Sequence, residues 1–385
     1  MTRVSLISGG TRLLALAVLL VLAWFLGARY LMPSPDREKH DKAEDGGLIA
    51  FLSQPVEGQF TDVKPGLDLR FPRDHGAHPS FRQEWWYFTG HLKTREGRRL
   101  GYQITFFRQG LRPPGDAPEP ASRFAVGAFH FAHFAISDLD GERFHFTQKA
   151  SRGAFGEAGN GEPGDSRLAW IDDWELRLEP EGHFQFRAGV DDFLLELELR
   201  ATKPIVINGE GGVSQKSAGV GQATHYYALT RMVGEGTLET GGDTVAVEHQ
   251  SWLDREWGSN QLGPGQVGWD WFSLQLEDGR ELMLYQMRLA DGSADRHSSG
   301  TLTAADGSTI HLASEDFELS PRKTWKSKAT GGKYPVSWGL RVPGHSIELE
   351  VEAEYPSQEL SLTPVSYWEG AVNVGGSHSG VGYLE

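Results

Sequence analysis

Residues 83–92 read Gln83-Glu84-Trp85-Trp86-Tyr87-Phe88-Thr89-Gly90-His91-Leu92, followed by Gly97-Arg98-Arg99-Leu100 and then Tyr102-Gln103. Half a chain later the pattern returns as Trp269-Asp270-Trp271-Phe272-Ser273-Leu274-Gln275-Leu276, then Gly279-Arg280-Glu281-Leu282, then Tyr285-Gln286. Each copy is an aromatic strand, a charged glycine turn and a return strand ending in Tyr-Gln. The spacings differ by a residue or two, as drift in loop length produces. Two matched hairpins this far apart predict two related domains made by duplication. Chance similarity between common hairpins is the competing reading.

Outward from these hairpins the pattern stays β. Strands are expected near 84–92, 100–108, 128–136, 144–148, 174–178, 184–188, 193–199, 226–231, 267–276, 281–288, 300–303, 346–354 and 367–374. In Phe193-Leu194-Leu195-Glu196-Leu197-Glu198-Leu199 the odd positions are apolar and the later even ones acidic, which marks one buried face. Turn pairs such as Glu96-Gly97, Asp140-Gly141, Asp278-Gly279 and Asp306-Gly307 punctuate the runs at hairpin spacing. No amphipathic helix of ten or more residues stands out in the globular part. Two antiparallel barrels or sandwiches follow, with the boundary in the turn-rich stretch 231–248. The expected division is 48–235 and 236–385. Glycine-rich stretches at 153–164 and 209–221 read as long loops within the first domain.

The totals agree with this picture. A chain of 385 residues has room for two domains, and 48 Gly with 12 Trp and 20 Phe suit tight turns around aromatic interiors. The net charge of −15 comes without a basic patch, which argues against nucleic acid as a partner. The absence of cysteine removes disulfides, thiolate metal sites and a cysteine nucleophile.

At the N-terminus, Leu13 to Ala28 form an apolar run of about 16 residues between Arg12 and Arg29. Cleavage after Ala28 would put Leu26 at a position that favours small residues. The run therefore reads as a signal or anchor segment over 1–32, left uncleaved, with a polar linker over 33–47. That predicts an exported, periplasmic protein held at the cytoplasmic membrane, or secreted if the segment is cut. Arg3 and Arg12 on one side, and Arg29, Arg37, Lys39 and Lys42 on the other, leave the orientation undecided.

Several motifs resemble one family. Gln83 to Gly90, Tyr226-Tyr227-Ala228-Leu229-Thr230-Arg231, Ser251-Trp252-Leu253-Asp254-Arg255-Glu256-Trp257-Gly258, Gly268 to Phe272 and Tyr367-Trp368-Glu369-Gly370 are similar, in order, to the carotenoid 1,2-hydratase family. That family is also called hydroxyneurosporene synthase-like or AttH-like. The resemblance implies two tandem lipocalin-like β-barrel domains on an exported chain and a hydrophobic site in or between the barrels. It also implies addition of water to the terminal double bond of an acyclic carotenoid, with no cofactor. The chain departs from the pattern at two places: Arg255 stands where members tend to carry His, and Met287 where a hydratase pairs Asp with the tyrosine two residues earlier, here Tyr285. Trp257 and Tyr285 carry over; the imidazole and the carboxylate do not.

Hydrating an alkene needs an acid, a wall that tolerates positive charge and a group that orients water. Asp254, Glu256 and Asp270 are the candidate acids, with Trp257 and Tyr285 beside them. Trp252, Trp269, Trp271, Tyr226 and Trp86 are the expected ligand contacts. On a strand, Asp254 and Glu256 share one face and Arg255 and Trp257 the other. A guanidinium close to Asp254 would nevertheless favour its ionised form, which is wrong for a general acid. The alternative is structural: tryptophans that pack a junction, and Asp-Arg-Glu as an ion-pair network. In the first hairpin, Glu84 and Trp86 share a face opposite Trp85 and Tyr87, and a buried Glu84–Arg108 pair closing a barrel end is expected.

Metal chemistry finds little support. His130 and His133 fall on opposite strand faces, and His75 and His78 lie in a loop without a completing ligand. His225 and His249 read as satisfied structural histidines. No Gly-x-Ser-x-Gly elbow or phosphate loop is present. The reading is therefore an anchored protein that takes an extended isoprenoid or other lipid. It either hydrates that ligand or carries it, as a lipid-binding accessory to an export system.

Overall fold

A computed structural model describes residues 59–115, 126–260, 262–362 and 366–385. The expected anchor and linker, 1–32 and 33–47, lie outside the described residues. No described helix is long and apolar enough to cross a membrane. Among the described residues all regular structure is β apart from three short 3-10 turns.

The first sheet begins as a meander of β1 (Gln83–Thr94), β2 (Arg99–Gly110), β3 (Ala128–Asp138) and β4 (Arg143–Ser151). It resumes with β5 (Ala158–Asn160), β6 (Arg167–Ile171), β7 (Trp174–Leu178), β8 (Phe184–Val190) and β9 (Phe193–Ala201). The short strands β10 (Val206–Ile207) and β11 (Val213–Gln215) pair with the long β12 (Ala223–Thr240), which leads into β13 (Asp243–Asn260). β13 then pairs along the whole of β1, so the last strand returns to the first. β3 and β4 also approach β6 and β8, and the 13-stranded sheet curls into a nearly closed barrel. Alternation fills its interior: Phe88, Phe134, Trp174, Phe184, Phe186 and Leu195 belong to one buried cluster.

The second sheet repeats the scheme with nine strands. They are β14 (Gln266–Leu276), β15 (Glu281–Leu289), β16 (Ser299–Thr303), β17 (Thr309–Leu312), β18 (Glu318–Lys326), β19 (Lys333–Val342), β20 (Ile347–Ala353), β23 (Gly370–Gly376) and β24 (Gly380–Leu384). Here too the last strand, β24, pairs with the first, β14, and the sheet forms a half-barrel. A separate hairpin of β21 (Glu359–Ser361) and β22 (Ser366–Trp368) carries part of the late aromatic motif. Both hairpins expected from the repeated pattern are present, as β1–β2 and β14–β15.

The sheet boundary differs from the expected division at 235/236. The stretch 231–248 belongs to β12 and β13, and its Gly241-Gly242 pair (φ 60° and 88°) forms the two-residue tip of their hairpin. Two successive positive φ angles suit a hairpin turn whose twist matches the strands. The chain passes to the second sheet between Asn260 and Gln266 instead. The two Gly-rich stretches expected as loops carry β5 and β11.

The sheets meet over Tyr226, Trp252, Trp271, Met283, Tyr285 and Tyr383, which share one buried cluster. At the side of this contact, Arg231 Nε and Lys203 Nζ from the first sheet donate to the two oxygens of Glu281, at 2.6 and 2.7 Å.

Candidate functional site

Strand alternation on β13 decides what the site contains. Trp252, Asp254 and Glu256 point away from the first barrel toward the second sheet, while Arg255 and Trp257 point to its other side. Register places Tyr87 of β1 beside Asp254 and Tyr226 of β12 beside Glu256, all on the outward face. From the other side β14 and β15 bring Trp269, Trp271, Tyr285 and Met287. Together they line a partly open cavity of about 110 Å³ between the two sheets. That approaches the ~150 Å³ of a protein cavity that takes benzene.

Asp254 stands at this wall, fully buried. It accepts hydrogen bonds from the Tyr226 hydroxyl and Trp252 Nε1, both at 2.6 Å. Burial nevertheless pushes its pKa up to about 8, since those donors only partly offset the loss of water. Opposite, Glu369 accepts from the Tyr87 hydroxyl at 2.6 Å, and Glu385 from Trp269 Nε1 at 3.2 Å. Burial raises both carboxyls, and mutual repulsion raises Glu369 further, so the pair favours holding a proton. His133 contributes a ring whose pKa burial lowers to about 3, with Nδ1 2.7 Å from the Tyr367 hydroxyl. Phe107 and Phe131, stacked at 4.4 Å, continue this wall.

The cavity thus sets weakly acidic carboxyls on facing walls of an aromatic chamber. Such carboxyls can give a proton to a ligand or take one from water.

The expected residues divide. Asp254, Glu256, Tyr285, Trp269 and Trp271 line the cavity. Trp252 and Tyr226 act on it through their bonds to Asp254. Asp270 does not line it: the next position on β14, it turns to the other face, 3.3 Å from Arg288 Nη1, and burial raises its pKa to about 6. Trp257 and Trp86 do not line it either. Trp257 stacks on His78 at 3.8 Å, and Trp86 lies under the Arg255 guanidinium at 3.8 Å.

Arg255 does not bond Asp254; it donates from Nη2 to Glu84 Oε2 at 2.5 Å. Glu84 also pairs with Arg108, as expected from the hairpin register. Burial pushes Glu84 up, but Arg108 and Arg255 outweigh it and hold the carboxyl well below its usual range. This cluster closes the barrel end.

Sequence reasoning missed Glu369, Glu385, His133, Tyr87 and Lys216 as cavity residues. A signal existed for Glu369, a lone charge in the aromatic Tyr367-Trp368-Glu369-Gly370 motif, but none identified Lys216. Among the described residues no group of three His, Asp or Glu forms a metal cluster. His75 bonds the Tyr227 hydroxyl at 2.6 Å, and His225 and His249 face the carbonyls of Gly212 and Glu198 at 3.2 and 2.8 Å.

A family model described as AttH-like matches residues 62–385. Among solved structures, an AttH protein from Nitrosomonas europaea is similar at 35% identity and TM-score 0.76, covering 84% of this chain and 98% of its own. Kievitone hydratase from Nectria haematococca is similar at 17% identity and TM-score 0.63, over 86% of this chain and 96% of its own. At that identity the second likeness speaks to the fold alone. No curated protein matches the chain in sequence.

Proposed function

The chain belongs to the AttH-like family, and from that premise we propose that it takes an apolar unsaturated ligand, an isoprenoid or other lipid, between its sheets and adds water to it. The observation that carries this reading is Asp254: a carboxyl pushed up to about 8, inside an aromatic cavity, facing a second pair of raised carboxyls. An acid that keeps its proton at neutral pH beside a proton-accepting pair suits hydration. A carrier has no need of two facing titratable groups.

In this reading the two sheets are tandem lipocalin-like barrels, since each returns its last strand to its first. The ligand lies between the barrels, because side chains fill the first one. The apolar run in 1–32 supports an anchor that holds the protein on the periplasmic side of the cytoplasmic membrane. Release from host membranes by alkaline carbonate would overturn the anchor.

The test is turnover in ¹⁸O-labelled water. Full-length protein incubated with a lipid extract of its host should yield a product carrying one added labelled water. Asp254→Asn should reduce that yield at least about 100-fold, the usual share of a general acid. A ligand that binds and leaves unchanged would make the protein a lipid carrier or an accessory to an export system.

A further inference from the structure

Lys216 has no part in that scheme, yet its side chain lines the cavity and is only 10% exposed. It follows β11 on a turn held by Gln266 Nε2, which donates to the Lys216 carbonyl at 2.7 Å. Nζ lies 3.8 Å from the centre of the Tyr285 ring and 5.2 Å from that of Tyr226. Among the described residues its carboxylate partner is Glu256, with Oε2 at 3.4 Å. An ammonium has three N–H donors, and a close charged bond runs at about 2.7–2.9 Å. One long ion pair and two ring faces leave it able to donate to a ligand. The Tyr285 hydroxyl is already engaged, 2.9 Å from Ser214 Oγ.

We propose that Lys216 receives a carbonyl oxygen, and that the substrate is an apolar α,β-unsaturated ketone rather than an isolated alkene. This rests on the hydration reading above and names its substrate class. A carboxyl as weakly acidic as Asp254 is a poor proton source for the carbon of an unactivated alkene. It is well matched to an enolate, whose α-carbon is far more basic. Burial alone would lower the Lys216 pKa, but Glu256, Tyr285 and Asp254 hold it above its ordinary value. The group is therefore a cation and hydrogen-bond donor, not an amine that would condense with the ketone.

The ionised member of the Glu369–Glu385 pair takes a proton from water as the water oxygen bonds to the β-carbon. The alkene electrons move onto the carbonyl oxygen, where Lys216 offsets the enolate charge. Asp254 then protonates the α-carbon as the carbonyl re-forms. The proton held by the glutamate pair returns to Asp254 through cavity water, so the net change is one water added.

Pseudoionone tests this directly, because it carries a conjugated dienone at one end and an isolated trisubstituted alkene at the other. With full-length protein in ¹⁸O-labelled water, the label should appear on a carbon conjugated with the carbonyl. On mixing, before turnover consumes the dienone, the absorption band of the bound probe should move to longer wavelength, a readout that needs no variant. Lys216→Met should abolish that shift and lower turnover about 100-fold or more, as loss of an oxyanion donor does. Lys216→Arg should restore part of both. Label on the isolated alkene with no band shift would overturn the ketone assignment and leave hydration standing. Absence of both label and shift would overturn the ketone assignment, and absence of labelled product from the host lipid extract as well would overturn hydration too. A shift that persists in Lys216→Met would remove Lys216 from its role.

Discussion

Asp254 is held between opposing influences. Two donors at 2.6 Å favour its ionised form, and complete burial disfavours it more strongly, leaving the pKa at about 8. An unfolded aspartate titrates near 3.9. Between those values the native state binds a proton that the unfolded state has lost. Stability contributed by this group is therefore full at low pH, falls as pH rises through the window and levels off above about 8. Asp254→Asn cannot titrate. The urea midpoint of the wild type should accordingly drop from about pH 5 to about pH 8 more steeply than that of Asp254→Asn, and equal slopes would mean that Asp254 is ionised in the fold. Hydration activity should decline above about pH 8, where the acid loses its proton.

At the scale of the element, β13 separates two kinds of chemistry by its pleat. Asp254 and Glu256 face the cavity, and Arg255 between them pairs with Glu84 at the barrel end. Arg255→Met should destabilise the protein by roughly 3 kcal/mol, because it breaks a fully buried ion pair. It should leave the activity decline near pH 8 in place, since Arg255 points away from Asp254. A moved inflection would show that the guanidinium acts on the acid after all. This division was legible in the alternation of Asp254-Arg255-Glu256-Trp257, as were both repeated hairpins and the Glu84–Arg108 pair. The facing half of the site was not. Glu369 and Glu385 reach the cavity only when the second sheet folds against the first, and Lys216 arrives on a turn whose position depends on β11 and Gln266. Local periodicity carries no information about such meetings. The sheet runs through 231–248 for a related reason, since Gly241-Gly242 marks a hairpin tip as readily as a linker.

For the whole molecule, the two sheets match strand for strand near their seams: β4-β3-β2-β1-β13 in one and β17-β16-β15-β14-β24 in the other. That shared order agrees with duplication as the origin of the repeated hairpin. The sheets approach closely at Gly101 of β2, where an added methyl would run into the Tyr383 hydroxyl and lie 3.2 Å from the Ala371 Cβ. Tyr383 is buried and has little room to withdraw. Gly101→Ala should cost about 1–3 kcal/mol, read as a lower thermal midpoint, and an unchanged midpoint would mean that the sheets can shift apart.

Because Asp254 and the Glu369–Glu385 pair stand on different sheets, the segment joining Asn260 to Gln266 acts as a tether between two half-sites. A short tether keeps its two ends at an effective concentration in the millimolar range. Severing it would turn an intramolecular docking into a bimolecular equilibrium, and the chemistry of the nicked protein would depend on dilution where that of the intact chain does not.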